Sequence, residues 1–455
     1  MSISELTVYL PKGCNLWSIE TSSLETQHVL ILPDQKKFQI SHTASQIIEE
    51  LVDKPLSIQE LASKLSAKWN TDISVEDLLK AFESEKWPRG LVRKGYGREC
   101  EALEDGAEER KQSSNLLGTF FIRHTLVPAG LLRRIAQRLT WLYERRFAAF
   151  AILTVLVVHG LLLQHLLAPS TRLLQAFRLS AAQYLAALGL MFAGVVVHEL
   201  GHAVAAKRCG INPGEIGIGL YLIYPALYTE LGFAWFLPRM QRVLIDAGGF
   251  YFQFLFTVPL YCLFRFTHTN IYLVVLLSLD FLFIASLFPL FKFDGYWLLS
   301  DGLGVPNMQK RSLEVLLSPF SLFRSGPFIS KSGLVLPKRI TAILFLYALL
   351  FVPFQTFFAF MITKRGVPAL LHTPWAAANL LKTAFADVAA GKNAEALYFG
   401  FKTFMLLVTA LSLVLIFRAY LKIVWRVAQK LRKRLEKRKE AIQGEFDYEC
   451  GLPKN

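Results

Sequence analysis

The sequence predicts a mainly α-helical, polytopic membrane protein that begins with a small α+β domain. Hydrophobic residues make up 53% of the 455 residues, and the mean hydropathy is +0.37, which is unusual for a soluble globular chain. A helix of about 20 apolar residues crosses a bilayer. Six charge-poor segments of about this length are predicted to span the membrane: 147–167, 181–206, 243–264, 271–291, 340–362 and 399–416.

The more polar region before the spans predicts a hairpin followed by three helices. Residues 28–33 and 37–40 have the pattern of two short strands, and helices are expected over 43–52, 58–69 and 75–86. Ser57 and Glu60 form a capping-box pattern at the start of the second helix. The expected core residues of this domain are Leu30, Phe38, Ile40, Ile47, Ile48, Leu51, Leu61, Leu65, Leu78, Leu79 and Phe82.

This arrangement, over residues 27–94, resembles the PqqD-like winged-helix recognition domain of peptide-modifying enzymes. The resemblance implies a cytoplasmic domain at 1–94 that binds the leader of a ribosomally made precursor peptide as an added strand beside the third helix. A winged helix that binds DNA is the alternative. Acidic residues are as common here as basic ones, and no basic recognition helix is apparent, so no nucleic-acid partner is expected.

Residues 95–146 are predicted to connect this domain to the spans. Residues 95–114 are rich in Glu, Arg, Lys and Gly, as flexible linkers are. Residues 116–146 alternate apolar and basic residues, which predicts a helix lying in the membrane interface. The predicted transmembrane domain follows at 147–425, and a basic cytoplasmic tail at 426–455.

The chain has a net charge of +15, and the positions of its basic residues indicate membrane topology. Basic residues cluster before the first span and after the last, so both termini are expected in the cytoplasm and the protein in the plasma (inner) membrane. Arg239 and Arg242 fit the same side, whereas Arg265 and Lys364 fall on the other. The basic tail is interpreted as a topology signal and as a segment attracted to anionic lipids, rather than as a nucleic-acid site. Residues 1–15 lack a basic region followed by an apolar core, so no cleavable signal peptide is expected.

Residues 212–237 are rich in glycine and aromatic residues, with Pro225 near the middle. This pattern favours short strands in a re-entrant hairpin, which is tolerated at membrane depth where it lines a cavity. An exposed edge there could receive an extended substrate by strand addition. A seventh span is the alternative, but it would place Arg239 and Arg242 outside, against the charge bias.

The segment His198-Glu199-Leu200-Gly201-His202 lies near the end of the second predicted span. Histidines four residues apart share one face of a helix, so both imidazoles can reach one zinc ion, with Glu199 beside it as a base for water. Such histidines can merely line the core of a soluble helix. In hydrocarbon, burying these side chains without an ion costs several kcal/mol. The motif therefore predicts metal-assisted peptide hydrolysis.

A catalytic zinc needs a third protein ligand and one open position. Asp294 is favoured because Pro289 breaks the fourth span and Gly295 frees the backbone, so the chain can turn this carboxylate toward the site. Asp246 and Asp280 remain open as alternatives. The full set of candidate acids is Glu215, Glu230, Asp246, Asp280 and Asp294.

The HExxH helix followed by Pro289-x-x-x-x-Asp294-Gly295 resembles the site-2 protease family of intramembrane zinc metalloproteases over residues 183–301. The resemblance implies His198, His202 and Asp294 as zinc ligands and Glu199 as the catalytic residue. The run Lys-Phe-Asp-Gly-Tyr-Trp at 292–297 is more similar to the branch named peptide zinc metalloproteases, often found with peptide-modification systems.

This chain departs from that family at two positions. Ser286 and Phe252 stand where the family usually has asparagine. The family's substrate contacts are therefore not carried over, whereas the zinc set is complete.

The sequence as a whole predicts a zinc metalloendopeptidase that processes a ribosomally synthesised precursor peptide at or within the bilayer. The expected partners are the precursor peptide, membrane lipids and peptide-modifying enzymes. Regulated intramembrane proteolysis of a membrane-anchored regulator is one alternative. A non-enzymatic peptide transporter or immunity protein is another, although a complete HExxH and aspartate set argues against it.

Overall fold

The fold is taken from a computed structural model of the whole chain. It describes residues 6–10, 14–19, 27–31, 37–40, 42–52, 56–83, 93–96, 120–168, 173–221, 224–232, 234–318, 326–330 and 335–449. The predicted linker at 95–114 lies outside these residues, except for its first two positions, which end a strand.

The N-terminal region contains two small antiparallel sheets and three helices. One sheet has the order β2–β3–β4, and in the other β1 lies between β5 and β6. The elements are β1 (Leu6–Tyr9), β2 (Asn15–Ile19), β3 (Gln27–Ile31), β4 (Lys37–Ile40), α1 (His42–Val52), β5 (Leu56–Ser57), α2 (Ile58–Trp69), α3 (Val75–Glu83) and β6 (Arg93–Tyr96).

The predicted hairpin and helices of this region are confirmed. β3 pairs with β4, and α2 begins at the capping box, where the Ser57 hydroxyl accepts from the Glu60 backbone N–H. Most of the expected core residues are buried in one cluster, and Leu79 packs against it. The side chain of Phe38 lies outside the described residues. Strands β1, β2, β5 and β6 were not predicted, because each is short and three of them pair with partners far away in sequence.

The prediction of one interfacial helix over 116–146 is wrong for its first part. Residues Phe120–Val127 form strand β7, which pairs with β8 (Ile216–Tyr221), and β8 pairs with β9 (Tyr224–Thr229). A helix, α4 (Ala129–Leu139), and a 3₁₀ turn (Thr140–Tyr143) follow. The free hydrogen-bonding edge of β8 pairs with β7, and this tertiary pairing overrides the local helical pattern of apolar and basic residues. The hairpin predicted within 212–237 is confirmed, and the alternative of a seventh span there is wrong.

Among the residues that the structure describes, six helices are long and apolar enough to cross a membrane. The first four are α5 (Arg145–Leu167), α7 (Ala181–Arg208), α8 (Arg239–Thr267) and α9 (Asn270–Leu287), with the short α6 (Leu173–Ala176) between the first two. Then follow α10 (Asp294–Leu303), α11 (Met308–Leu316) and a two-stranded sheet of β10 (Phe328–Ile329) and β11 (Val335–Leu336). The number of these helices agrees with the six predicted spans, and the mainly helical class is confirmed.

The last two spans are longer than predicted. Helix α12 (Lys338–Met361) continues through a π turn (Ile362–Gly366) into α13 (Val367–Ala389). Helix α14 (Asn393–Glu449) carries the last span directly into the basic tail, with no break at 426. Charges end a membrane span but do not end a helix, since Lys, Arg and Glu are good helix formers.

Helices α7 and α8 form the centre of the membrane part, and they touch at glycines. A Cβ added at Gly201 would overlap the Gly248 carbonyl oxygen and lie 2.8 Å from Phe252 Cβ. The Tyr143 hydroxyl donates to the Gly201 carbonyl oxygen at 3.2 Å. Burial raises the pKa of this phenol, so it stays protonated as a donor. The close crossing brings the HExxH helix within reach of polar groups on α8.

We expect Gly201→Ala to destabilise the protein, because its methyl group would enter occupied space between α7 and α8. Overpacking of this kind costs about 1–3 kcal/mol. Thermal unfolding of the detergent-solubilised protein measures the change. Gly189→Ala is the matched control, since Gly189 lies on the same helix and its added Cβ meets nothing within 4 Å. Equal melting temperatures for the two variants would contradict the close crossing.

Candidate metal centre

The two histidines of the HExxH segment lie on the buried face of α7. His198 and His202 are 7% and 6% exposed. Their Nε2 atoms lie 3.2 Å apart. Helical spacing of four residues places both rings on one side, as the sequence predicted.

The other ring nitrogen of each histidine contacts α8. His198 Nδ1 lies 2.9 Å from Gln253 Oε1, and His202 Nδ1 lies 2.8 Å from the Ile245 carbonyl oxygen. Gln253 Nε2 donates to the Leu279 carbonyl oxygen at 2.7 Å, so the amide orientation follows from its partners. Gln253 Oε1 and the Ile245 carbonyl oxygen are therefore both acceptors. Each histidine Nδ1 must carry the hydrogen that it donates to them. In the neutral rings both Nε2 atoms then present lone pairs.

Asp294 reaches the same point from the turn after α9. That helix ends at Leu287, two residues before Pro289, and α10 begins at Asp294. A Cβ on Gly295 would overlap the Leu287 carbonyl group, so only glycine permits this close return of the chain. The Tyr347 hydroxyl donates to the Pro289 carbonyl oxygen at 2.9 Å and fixes the turn to α12. The sequence prediction that Pro289 ends the helix is confirmed.

The side chains of three residues converge at this point. Asp294 Oδ2 lies 2.9 Å from His198 Nε2, and Oδ1 lies 3.6 Å from His202 Nε2. The ligand atoms of these three residues all lie within 4.8 Å of one another. Two facing lone pairs and a carboxylate repel each other unless a proton or a metal ion lies between them. This donor set fits zinc, which binds imidazole nitrogen and carboxylate oxygen.

A glycine keeps the space in front of the imidazoles open. A Cβ on Gly249 would lie 2.5 Å from His198 Nε2 and would also overlap His202 Nε2. Any side chain there would enter the space in front of the two nitrogens that would hold an ion. Position 249 therefore requires glycine because a side chain would collide with the candidate metal site.

Three of the other candidate acids contact different groups. Asp280 pairs with His159 at 3.2 Å, on the facing sides of α9 and α5. Asp246 hydrogen-bonds with Asp301, and its buried Oδ2 atom has no hydrogen-bond partner among the described residues. Glu215 accepts from the Thr125 hydroxyl at 2.7 Å within the β7–β8–β9 sheet. Asp294 is thus the carboxylate that the structure places against the two imidazoles.

Helix α10, which carries Asp294, is attached to α8 by charged side chains. Arg242 Nε lies 3.1 Å from Asp301 Oδ1, and the Arg239 guanidinium donates to the Gly302 carbonyl oxygen. Burial raises the pKa of the Asp301 carboxyl, and the Arg242 guanidinium opposes that rise. Arg242 is only 4% exposed. Besides its place in the predicted charge pattern, Arg242 is thus a buried ion-pair partner.

Glu199 follows the candidate ligand His198 on α7 and is held by the sheet. The Thr229 hydroxyl at the end of β9 lies 2.7 Å from Glu199 Oε2 and 2.9 Å from the Glu199 carbonyl oxygen. Glu199 is 9% exposed. Because Thr229 contacts Oε2, the other oxygen, Oε1, is the one left to receive a proton.

Sequence reasoning named the three candidate ligands that the structure brings together, but it missed three residues around them. Gln253 orients His198, Gly249 leaves space before the imidazoles, and Thr229 holds Glu199. Gln253 carried a usable signal, because a polar amide within an otherwise apolar span is expensive unless it bonds something. Gly249 and Thr229 carried none, since small residues and threonines are common in spans and strands. Their roles depend on which element lies opposite.

Comparisons with known proteins find one distant similarity. The chain is 28% identical over 111 residues, 23% of its length, to "Putative peptide zinc metalloprotease protein YydH" of Bacillus subtilis (strain 168). The aligned part spans 42% of that protein. No family model matches the chain, and no solved structure matches it. The chain is therefore distantly related to a protein named as a zinc metalloprotease, and it contains a residue group able to hold a metal.

We expect His198→Ala, His202→Ala and Asp294→Ala each to lower the zinc content. We expect Gln253→Leu to weaken zinc binding about 10- to 100-fold, because the Gln253 amide orients His198. Zinc titration of the purified apoprotein with a competing chelator measures both effects. Asp280→Asn is the control, since this acid also lies within a span but pairs with His159. Unchanged zinc affinity in Gln253→Leu would argue against the orienting role.

Proposed function

We propose that this protein is a zinc metalloendopeptidase that cleaves a ribosomally made precursor peptide at or within the membrane. The observation that carries the proposal is the convergence of His198, His202 and Asp294, beside Glu199, inside a group of membrane-length helices. The distant similarity to a peptide zinc metalloprotease supports the same chemistry. The two histidines and Asp294 would hold the ion and leave a position for water.

Zinc bound there would act as a Lewis acid toward the peptide carbonyl and the attacking water. Glu199 Oε1 takes the proton that water loses and returns it to the leaving amine. Thr229 holds the other carboxylate oxygen during this transfer. Phe250 packs edge-on against His198, with ring centroids 5.5 Å apart, and helps to exclude bulk water.

The proposed location is the plasma (inner) membrane, with both termini in the cytoplasm. Six membrane-length helices support a multi-pass protein, and an even number of crossings places both ends on one side. The basic residues before α5 and along the end of α14 favour the cytoplasm for that side.

The proposed substrate is an extended peptide recruited by the N-terminal domain. In the sheet of the protease part β9 is an edge strand, and it ends at the residue that contacts Glu199. Edge strands accept extended peptides by strand addition. The N-terminal sheet also has edges, at β2 and β4, and its hairpin and three helices support the proposed leader-binding role. Peptide-modifying enzymes are the proposed partners.

We expect Glu199→Gln to keep zinc and to lose proteolysis, because an amide keeps the shape of the side chain but cannot take a proton. Removal of a general base lowers the rate about 10²- to 10⁴-fold. Cleavage of a peptide library in detergent micelles, read as new termini by mass spectrometry, measures this. Glu215→Gln is the control, because that carboxylate contacts Thr125 and Tyr228 instead. Near wild-type cleavage by Glu199→Gln would refute the assigned role.

We expect deletion of residues 1–96 to weaken recognition of a leader-bearing precursor while leaving the zinc centre intact. The deletion ends at β6 because this strand pairs with β1, so both strands must be removed together. The Michaelis constant should rise with kcat nearly unchanged, which is the sign of lost uniform binding. Steady-state kinetics with the precursor and with its leaderless form measure this.

Leaderless peptide should be cleaved equally by the full-length and the shortened protein. If the deletion leaves precursor processing unchanged, the leader-binding role is wrong. Regulated proteolysis of a membrane-anchored protein then becomes the better interpretation, and a substrate with its own span should be tested.

A further inference from the structure

Thr229 is the point where the β7–β8–β9 sheet contacts the proposed catalytic base. It is the last residue of β9 and pairs with Ile216 of β8. Its Oγ1 lies 2.7 Å from Glu199 Oε2 and 2.9 Å from the Glu199 carbonyl oxygen. A threonine hydroxyl has one hydrogen to donate, and both of these Glu199 oxygens can accept it. Thr229 therefore donates toward both, with the shorter contact to the side-chain oxygen Oε2.

This bond restrains the rotation of the Glu199 side chain. A glutamate has several rotatable bonds, and fixing them costs conformational entropy at each turnover if nothing fixes them beforehand. The bond also distinguishes the two carboxylate oxygens, since Oε2 is occupied and Oε1 is left for proton transfer. Proton transfer needs a heavy-atom distance of about 2.6–3.2 Å, so the direction of Oε1 matters.

We propose that Thr229 is a positioning residue that aims Glu199 for proton transfer, which rests on the proposed protease function. Because Thr229 ends the edge strand β9, the base is held relative to the strand as well as to its own helix. A peptide paired along β9 would therefore meet a carboxylate whose position is set by the same strand. The hydroxyl group, and not the shape of the side chain, carries the role.

The chain offers a matched control in the same sheet. Thr125 of β7 donates to Glu215 Oε2 at 2.7 Å, the same kind of bond at the same distance. Thr125 is exposed, and neither it nor Glu215 contacts the histidines or Asp294 in the described structure. Replacing Thr125 thus removes an equivalent hydrogen bond from the sheet without touching the site.

The test compares Thr229→Val, Thr229→Ser and Thr125→Val as full-length proteins in detergent micelles. Valine keeps the branched shape and removes the hydroxyl, whereas serine keeps the hydroxyl. A hydrogen bond to a charged group corresponds to about a 10- to 100-fold change in rate. We expect Thr229→Val to lower kcat by this factor with unchanged Michaelis constant, zinc content and melting temperature. Thr229→Ser should be close to wild type, and Thr125→Val equal to it.

Two results would overturn the positioning role alone. One is wild-type kcat in Thr229→Val while Glu199→Gln is inactive. The other is loss of zinc or of thermal stability in Thr229→Val in step with kcat, which would make the residue structural. A failure of the protease proposal gives a different result, because Glu199→Gln would then behave as wild type in the cleavage assay. In that case the positioning role of Thr229 would also be wrong.

Discussion

The convergence of two imidazole nitrogens and a carboxylate inside an apolar helix bundle is the constraint on which the structure around it depends. Each Nε2 atom presents a lone pair because its ring's Nδ1 hydrogen is committed to an acceptor on α8. Such a set is repulsive by itself and becomes favourable when a cation is bound. The surrounding elements serve to hold these three side chains at one point.

Helix α8 supplies most of this support, although it carries no proposed ligand. Arg242, the Ile245 carbonyl, Gly249 and Gln253 recur at intervals of three or four residues, so they follow one face of the helix. From that face Gln253 and Ile245 orient the histidines, Gly249 leaves the space, and Arg242 holds α10 through Asp301. The close crossing at Gly201 and Gly248 brings this face near enough to act.

The sheet connects the proposed chemistry to the proposed substrate. Its outer strand β9 ends at Thr229, which bonds to Glu199, and its other outer strand, β7, comes from the segment before the first span. This small sheet thus pairs a strand that precedes α5 with strands that follow α7. The interfacial-helix prediction for 116–146 failed here because the partner of β7 lies roughly 90 residues away, and strand pairing at such a distance leaves no local periodicity.

The sequence by itself determined the features that have a local physical cause. The spans follow from apolar length, α2 begins where Ser57 and Glu60 can cap it, and α9 ends before Pro289. His198 and His202 meet because four residues make about one turn. Only the tertiary structure decided that Asp294 and not Asp280 lies opposite them, that Gln253 orients one ring, and that Thr229 reaches Glu199. These contacts join residues far apart in the chain, and their partners depend on how closely α7, α8 and β9 approach one another.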